Sequence, residues 1–317
     1  MDGAAHGAPP SMTASPPALS RASVDRAAHR RSDDRWLAAA WADPASRVLV
    51  VEDGRALVGA GDRLVLAPTA TAPAGEPFFL GVAGGTAYWA VAGPLPAYDG
   101  ARPCSLREVG AALDDRDVGL LAHAVGLANW HATHRCCSRC GAGTEPVLGG
   151  HVRRCPADGS DHFPRTDPAV IMLVHDGDDR CVLGRGTAWP AGRYSVLAGF
   201  VEPGESAEQA VAREVAEEVG LALTDLRYAA SQPWPFPSSL MLAFTARATG
   251  ETLTVDPVEL ADAGWYSRAE VREEQATGRL TLPPPVSIAR RLLDDWLNLD
   301  DSRHGEAARA ASDRRST

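Results

Sequence analysis

The run Gly199-Phe-Val-Glu-Pro-Gly-Glu205-Ser-Ala-Glu-Gln-Ala-Val-Ala-Arg213-Glu214-Val-Ala-Glu217-Glu218-Val-Gly220-Leu221 constrains this 317-residue chain more than any other stretch. A glycine loop leads into a helix, and Ser206 stands three residues before Gln209, a capping box at the head of an apolar run. Ala207, Val211 and Val215 recur every fourth residue with Ala210 between them, which predicts a buried stripe. Glu214, Glu217 and Glu218 stand at i, i+3 and i+4 and share another face. Like charges so spaced repel by roughly 0.2–0.5 kcal/mol per pair on an open helix, and by more in a cleft. A solvated acidic face is the ordinary fate of a charge run. Carboxylates this dense behind a glycine loop instead suit hard divalent cations such as Mg²⁺ or Mn²⁺.

The length leaves room for about two domains and a sizeable core. A net charge of −10 argues against broad electrostatic capture of nucleic acid but not against a local basic groove. All 31 basic residues are Arg, which reads as a high-GC genome more than as a function. No apolar run is long enough for a bilayer and no signal-peptide core opens the chain, so a cytoplasmic protein with no membrane partner is expected. The six cysteines cluster, which without an export signal favours metal over disulfides.

Residues 1–32 read as a disordered leader of Ala, Pro, Ser and Arg. Residues 33–134 read as a small α+β domain without catalytic motifs, its strands at Arg47–Val51, Arg63–Leu66, Phe78–Val82 and Ala87–Val91. Its closing part, 105–134, reads as helical, with Leu120, Leu121, Val125, Leu127 and Trp130 on one face. Residues 135–166 have the layout of a zinc ribbon: Cys137-Ser-Arg-Cys140 is a C-x2-C turn and Cys155 follows fifteen residues after Cys140. The slot for a fourth cysteine holds Asp158, and His162 lies a few residues on. Either can bind zinc, and spacing leaves the choice open. A ribbon that has lost its metal and buries its cysteines as small hydrophobes is the competing reading.

The segment 163–174 leads into a buried strand, Cys181-Val-Leu-Gly forms the next with Cys181 in the core, and Tyr194–Ala198 delivers the chain to the glycine loop. Beyond the helix, Ser231-Gln-Pro-Trp-Pro-Phe-Pro-Ser-Ser239 cannot be a central strand, because proline donates nothing to a ladder. It is expected to form a stiff extended loop presenting flat rings and a Gln amide. Residues 167–300 make up the second domain, and 301–317 a flexible tail.

Glycine, five residues, Glu, seven residues, then Arg-Glu-aliphatic-x-Glu-Glu-x-Gly-aliphatic is the complete Nudix box, so the chain resembles the Nudix hydrolases. The stretch 231–239 narrows this, since it resembles the S-Q-P-W-P-F-P-x-S signature of the NADH pyrophosphatase family. That family has a small N-terminal domain, a zinc ribbon and a Nudix domain in this order. The resemblance covers roughly residues 33–300, with Leu282–Leu292 a third matching stretch. It implies an α+β chain whose C-terminal Nudix fold is a mixed sheet sandwiched by helices. The implied activity is metal-dependent hydrolysis of the NAD(H) diphosphate to NMN(H) and AMP, with removal of NAD caps from RNA 5′ ends as a related activity.

Carried over position by position, the resemblance implies two or three Mg²⁺ or Mn²⁺ ions on Glu214, Glu217, Glu218, Glu259 and the Ala198 carbonyl. Gln232, Pro233, Trp234, Pro235, Phe236, Pro237, Ser238 and Ser239 would line the dinucleotide site with Ala289 nearby, and Phe163 and Phe200 would offer aromatic faces. It also implies a homodimer. The ribbon departs from the family in lacking its fourth cysteine. Arg213 is expected to orient a box carboxylate, and the general base stays open among Glu217, Glu218 and a metal-activated hydroxide. A nucleotide-sensing or scaffold protein that keeps the fold without catalysis is the alternative, but such proteins tend to lose box carboxylates and all are present here. Preference between NADH, NAD and NAD-capped RNA is not written in the sequence.

Overall fold

The computed structural model describes residues 16–298, in two compact units. One comprises residues 17–168 with 231–241, and the other residues 169–230 with those from 242 onward.

In the N-terminal unit the β-branched run Arg47–Val51 pairs parallel to Thr86–Ala92, which is flanked in turn by the antiparallel strand Pro77–Ala83. The helix Asp115–Thr133 packs on these strands through Leu120, Leu121, Val125, Leu127 and Trp130, all buried as the periodicity predicts. Asp114 caps it by accepting from the Asp117 N–H at 2.8 Å. The helical reading of 105–134 needs a correction. Leu106–Val109 is a separate short helix that ends at Gly110, because Asp114 offers the chain a fresh N-terminus. Of the strand expected at Arg63–Leu66 only Arg63–Leu64 forms, the next strand, Ala67–Pro68, lies beyond it in a different sheet, and Arg55–Gly59, Arg102–Ser105 and the helix Asp34–Ala42 are additional.

The disordered-leader reading fails for residues 17–32. Leu19 is 1% exposed, and Arg21 donates to the carbonyls of Ala18, Gly110 and Leu113 and pairs with Asp115 at 3.0 Å. Low sequence complexity hid one large apolar anchor and one multidentate arginine. Residues 1–15 and the expected tail at 301–317 lie outside the described residues.

The ribbon strands Glu145–Val147, Val152–Arg154 and Asp161–His162 form their own antiparallel sheet in this unit. The second unit is built on a six-stranded sheet in which Arg180–Gly186 pairs antiparallel with Leu260–Ser267, and Leu197–Phe200 pairs antiparallel with Asp167–His175. The helix Ala207–Val219 lays Ala210, Val211, Val215 and Val219 against Val170, Met172, Val182, Leu197 and Phe244. Each such valine contributes roughly 1.5–3 kcal/mol by leaving water. Cys181 is fully buried in this core, and burial pushes its thiol up, so it is inert as expected. Helices Arg268–Ala276 and 288–298 are tied together by Arg268 Nε donating to Trp296 O at 3.0 Å and Arg272 Nη2 to Leu297 O at 2.7 Å. The strand expected at Tyr194–Ala198 lies further on, at Leu197–Phe200, with Ser195 making only an isolated bridge to Gly184.

The extended-loop expectation for 231–239 is also corrected. Ser231–Trp234 completes the strand Leu223–Trp234, an edge strand of the sheet, and Ser239 opens the strand Ser239–Ala248. Only 235–238 form the turn. Prolines are tolerated there because an edge strand leaves part of its N–H row unpaired.

Candidate active site and metal centre

The carboxylate helix is held in place by local chemistry. Ser206 Oγ accepts from the Gln209 N–H at 3.2 Å while Gln209 Oε1 accepts from the Ser206 N–H at 2.9 Å, the reciprocal box read from the sequence. Gly220 ends the helix at φ 71°, where a Cβ would also come within 2.9 Å of Thr254 Cβ. At the other end Gly199 admits Glu214. A Cβ on Gly199 would fall 1.8–2.2 Å from the Glu214 carboxyl group, so only glycine lets that carboxylate lie against the strand.

Arg213 organises the box. Its Nε and Nη2 each donate to Glu205 at 2.9 Å in a two-point fork, its Nη1 reaches Glu214 Oε1 and Glu217 Oε2 at 2.9 Å, and Nη2 also donates to the Phe200 carbonyl. This is the orienting role expected of it. Glu214 and Glu218 are buried while Glu217 is exposed, so the three share a helix face but not one environment. The Asp256 N–H donates to the Glu218 carbonyl at 3.0 Å, anchoring the turn that carries Glu259 beside the end of the helix.

Glu218 shows which partner this cluster fits. Its Oε2 is buried and accepts no hydrogen bond. Burial first, then the charges of Glu214, Glu259 and Glu217, push its carboxyl up to about 8. Burial also raises Glu214, partly offset by Arg213. A buried carboxylate oxygen without a donor is costly, and a divalent cation is the partner that hard oxygen ligands fit. The donor chemistry fits such an ion: Glu214, Glu259 and Glu217 lie near enough for their charges to raise Glu218, and Ala198 stands on the adjoining strand, paired with Ile171.

The ribbon brings together the other predicted ligands. The ligand atoms of Cys137, Cys140, Cys155 and Asp158 all lie within 4.8 Å of one another. Cys140 Sγ is 3.5 Å from Cys155 Sγ, and Cys137 Sγ is 3.6 Å from Asp158 Oδ2, close to the edge of a tetrahedron around zinc at about 2.3 Å per thiolate. The two halves repeat one turn. Gly141 N–H donates to Cys137 O and Gly159 N–H to Cys155 O, both at 2.9 Å, with both glycines at positive φ. Asp158 thus occupies in the second turn the place of Cys140 in the first. His162 Nε2 lies 3.2 Å from Cys137 Sγ and 3.3 Å from Ser160 Oγ, beside the cluster. The Ser160 hydroxyl is the largest influence bringing the Cys137 thiol down to about 6, which suits a zinc ligand. Cys136 is exposed and outside the cluster.

The remaining predicted site residues behave differently from one another. Phe163 and Phe200 are 67% and 61% exposed, rings left open to a ligand. Trp234 and Phe236 meet edge to face at 4.9 Å and are half-buried. Gln232 is fully buried, its Oε1 accepting from the Leu19 N–H at 3.4 Å, so the amide is tied down and not presented. Pro233 and Ser239 are half-buried strand residues, Pro235 is buried and Pro237 exposed in the turn. Ser238 Oγ donates to Asp167 Oδ2 at 2.8 Å. Ala289 is buried in the helix 288–298.

Sequence reasoning missed Arg107 and Asn129. The Arg107 guanidinium lies 4.9 Å from the Trp234 ring centre and 4.1 Å from that of Phe236. Asn129 Nδ2 donates to the carbonyls of Pro235 at 3.0 Å and Pro237 at 3.1 Å. These contacts span more than a hundred residues of chain, and no local pattern signals them.

Comparison with known proteins agrees with this architecture. Residues 165–283 match the NUDIX domain, which defines the class as Nudix hydrolase. Residues 132–163 match the NADH pyrophosphatase zinc ribbon domain and residues 44–130 the NADH pyrophosphatase-like rudimentary NUDIX domain. The NAD-capped RNA hydrolase NudC of Mycobacterium bovis (strain BCG / Pasteur 1173P2) is 44% identical over 301 residues, covering 88% of this chain and 94% of that protein. The NAD-capped RNA hydrolase NUDT12 of Homo sapiens is 38% identical over 200 residues, 59% of this chain and 43% of that protein. Among solved structures, a NUDIX hydrolase from Nitrosomonas europaea aligns with a TM-score of 0.38 and 20% identity over 47% of this chain and 97% of that one. The chain belongs to the NADH pyrophosphatase family of Nudix hydrolases.

Proposed function

We propose that this protein hydrolyses the diphosphate of NAD(H) to NMN(H) and AMP, and removes NAD caps from RNA 5′ ends. The observation that carries the reading is the intact box: Glu214 and Glu218 buried, Arg213 forked onto Glu205, and Glu218 Oε2 with no donor from the protein. The names of the relatives, NAD-capped RNA hydrolases, support the substrate class.

Bound Mg²⁺ or Mn²⁺ supplies Lewis acidity and neutralises diphosphate charge. Glu214, Glu217, Glu218 and Glu259 would hold the cations, and Ala198 would offer its carbonyl from the adjoining strand. Arg213 restrains Glu214 and Glu217, so neither carboxylate must be ordered during turnover. Glu218, with no donor from the protein and like charges around it, is the carboxylate whose ionised form depends most on the bound cation. Phe163, Phe200, Trp234 and Phe236 offer aromatic faces to the bases. Zinc on Cys137, Cys140, Cys155 and Asp158 would staple the ribbon, which is too small to build a core.

The protein acts in this reading as a cytoplasmic homodimer, a state that light scattering of the purified protein reports. Among the described residues no helix is long and apolar enough to cross a membrane.

Product analysis of NADH, NAD, ADP-ribose and diadenosine diphosphate with Mg²⁺ or Mn²⁺ tests the activity. Preferential release of AMP and NMNH from NADH is the expected result. Equal cleavage of all four would remove the dinucleotide reading and keep only the Nudix chemistry, and no cleavage would remove both. NAD-capped RNA should release NMN; retention of the cap would end that part of the proposal.

A further inference from the structure

Two arginines and two histidines of the N-terminal unit, carried by three separate segments, meet along the strand Pro77–Ala83. His151, in the ribbon, has its Nε2 at 2.7 Å from the Phe79 carbonyl. A carbonyl only accepts, so Nε2 carries the proton and Nδ1 is bare in the neutral ring. His123, on the helix Asp115–Thr133, bonds to the backbone of the next strand residue, Leu80, and its ring centre lies 5.1 Å from that of His151. The third segment crosses the strand at Gly81, where a Cβ would stand 2.2 Å from the Asp25 carbonyl oxygen, and Asp25 exchanges both backbone hydrogen bonds with Val82. Just beyond it Ala27 is buried at φ 41°, a left-handed conformation uncommon for alanine. The chain turns back there, so that Arg31 Nη2 donates to the Arg26 carbonyl at 3.4 Å.

These groups repel one another. Arg31 Nε is buried and donates to no group among the described residues, and burial, then the Arg26 charge, lowers the pKa of the Arg31 guanidinium. Burial first, then the charges of Arg31 and Arg26, holds His151 down to about 4 against the pull of the Phe79 carbonyl. Burial, then Arg26, His151 and Arg31, holds His123 well below the ordinary imidazole range. The remaining basic neighbour of His151 is His131, and the acid that faces His131, Glu76, is exposed and pairs with Arg153 at 3.6 Å. Asp25 turns its carboxylate to the Ala27 N–H at 2.9 Å. A buried guanidinium N–H without an acceptor, beside a second guanidinium, is stabilised by an anion. Arg26 is exposed, so the group is open to solvent.

We propose that Arg26, Arg31, His123 and His151 form an oxyanion site that takes a dianion of the phosphate class. A planar guanidinium forks onto paired oxygens, and two permanent charges match a dianion. Protonation of His151 on binding turns its bare Nδ1 into a further donor. None of the four is a box carboxylate or a ribbon ligand, so the site stands independently of the hydrolase reading. The phosphate comes either free from solution or from a nucleic-acid backbone, and the chemistry of recognition is the same.

Sulfate, a dianion at every pH used, is the probe, titrated by calorimetry into the full-length protein at constant ionic strength with chloride as the balancing salt. One saturable site is expected, with proton uptake read from two buffers of different ionisation enthalpy. Returning His151 from about 4 to about 6.5 makes sulfate bind about fourfold tighter at pH 6 than at pH 8. Arg26→Gln and Arg31→Gln should each weaken binding at least about tenfold and leave NADH hydrolysis unchanged. Arg26 is exposed, so Arg26→Gln decides the matter even where Arg31→Gln does not fold. Displacement of sulfate by inorganic phosphate alone supports the site with free phosphate as its ligand, and displacement by a short uncapped RNA as well supports it with a nucleic-acid source. No saturable binding, no proton uptake, parental affinity in Arg26→Gln, or displacement by neither competitor overturns the proposal.

Discussion

Glu218 concentrates the electrostatic tension of the site in one residue. Its carboxyl is held up to about 8 against an ordinary 4.5. Between those values the folded state keeps a proton that the unfolded state has released, so metal-free stability falls as pH rises through that window. Glu218→Gln keeps the shape and removes the charge. In EDTA the variant should be more stable than the parent at pH 8 by on the order of 3 kcal/mol, and no different near pH 4.5. NADH hydrolysis should fall at least about a hundredfold. Thermal melts at the two pH values and one activity assay check this; equal melting at pH 8 would remove the buried-charge account. The helical face of the three glutamates was legible from spacing alone. Which of them is buried was not, because Gly199 admits Glu214 from a strand and Asp256 brings Glu259 from another segment.

The ribbon is an element whose metal chemistry is written in a repeat. Cys137-Ser-Arg-Cys140-Gly141 and Cys155-Pro-Ala-Asp158-Gly159 fold into the same turn, which places Asp158 with the thiols and leaves His162 as a neighbour of Cys137. Protein purified in zinc should lose the metal on Asp158→Ala and retain it on His162→Ala, by elemental analysis, with melting lowered only in the first. Loss on His162→Ala and retention on Asp158→Ala would exchange the two assignments. The turn at 235–238 teaches a different lesson. Its prolines correctly excluded a central strand, but the edge of the sheet accommodates what the centre does not, and Ser231–Trp234 is strand all the same.

At the scale of the molecule, residues 17–32 belong to the N-terminal unit. Leu19 is buried, Ser20 and Leu19 hold Ser231 and Gln232, and Gly119 has no Cβ where Ala22 crosses it, a Cβ there meeting Ala22 at 2.8 Å. Deleting residues 1–27 should cost on the order of 3–5 kcal/mol, about 2 from Leu19 and the rest from polar groups left unpaired. Urea unfolding measures it, and an unchanged midpoint would return the segment to the status of a leader. Local pattern alone determined the capped carboxylate helix, its buried stripe, the orienting role of Arg213 and the zinc-ribbon cysteines, because each is set by neighbours within about twenty residues. Only the tertiary structure decided that Glu218 stands buried without a donor, that Gln232 is tied beneath Leu19, and that Arg107 and Asn129 hold the aromatic turn. Those contacts join positions more than a hundred residues apart or depend on which surfaces are closed to water, and neither is written in the periodicity of any one segment.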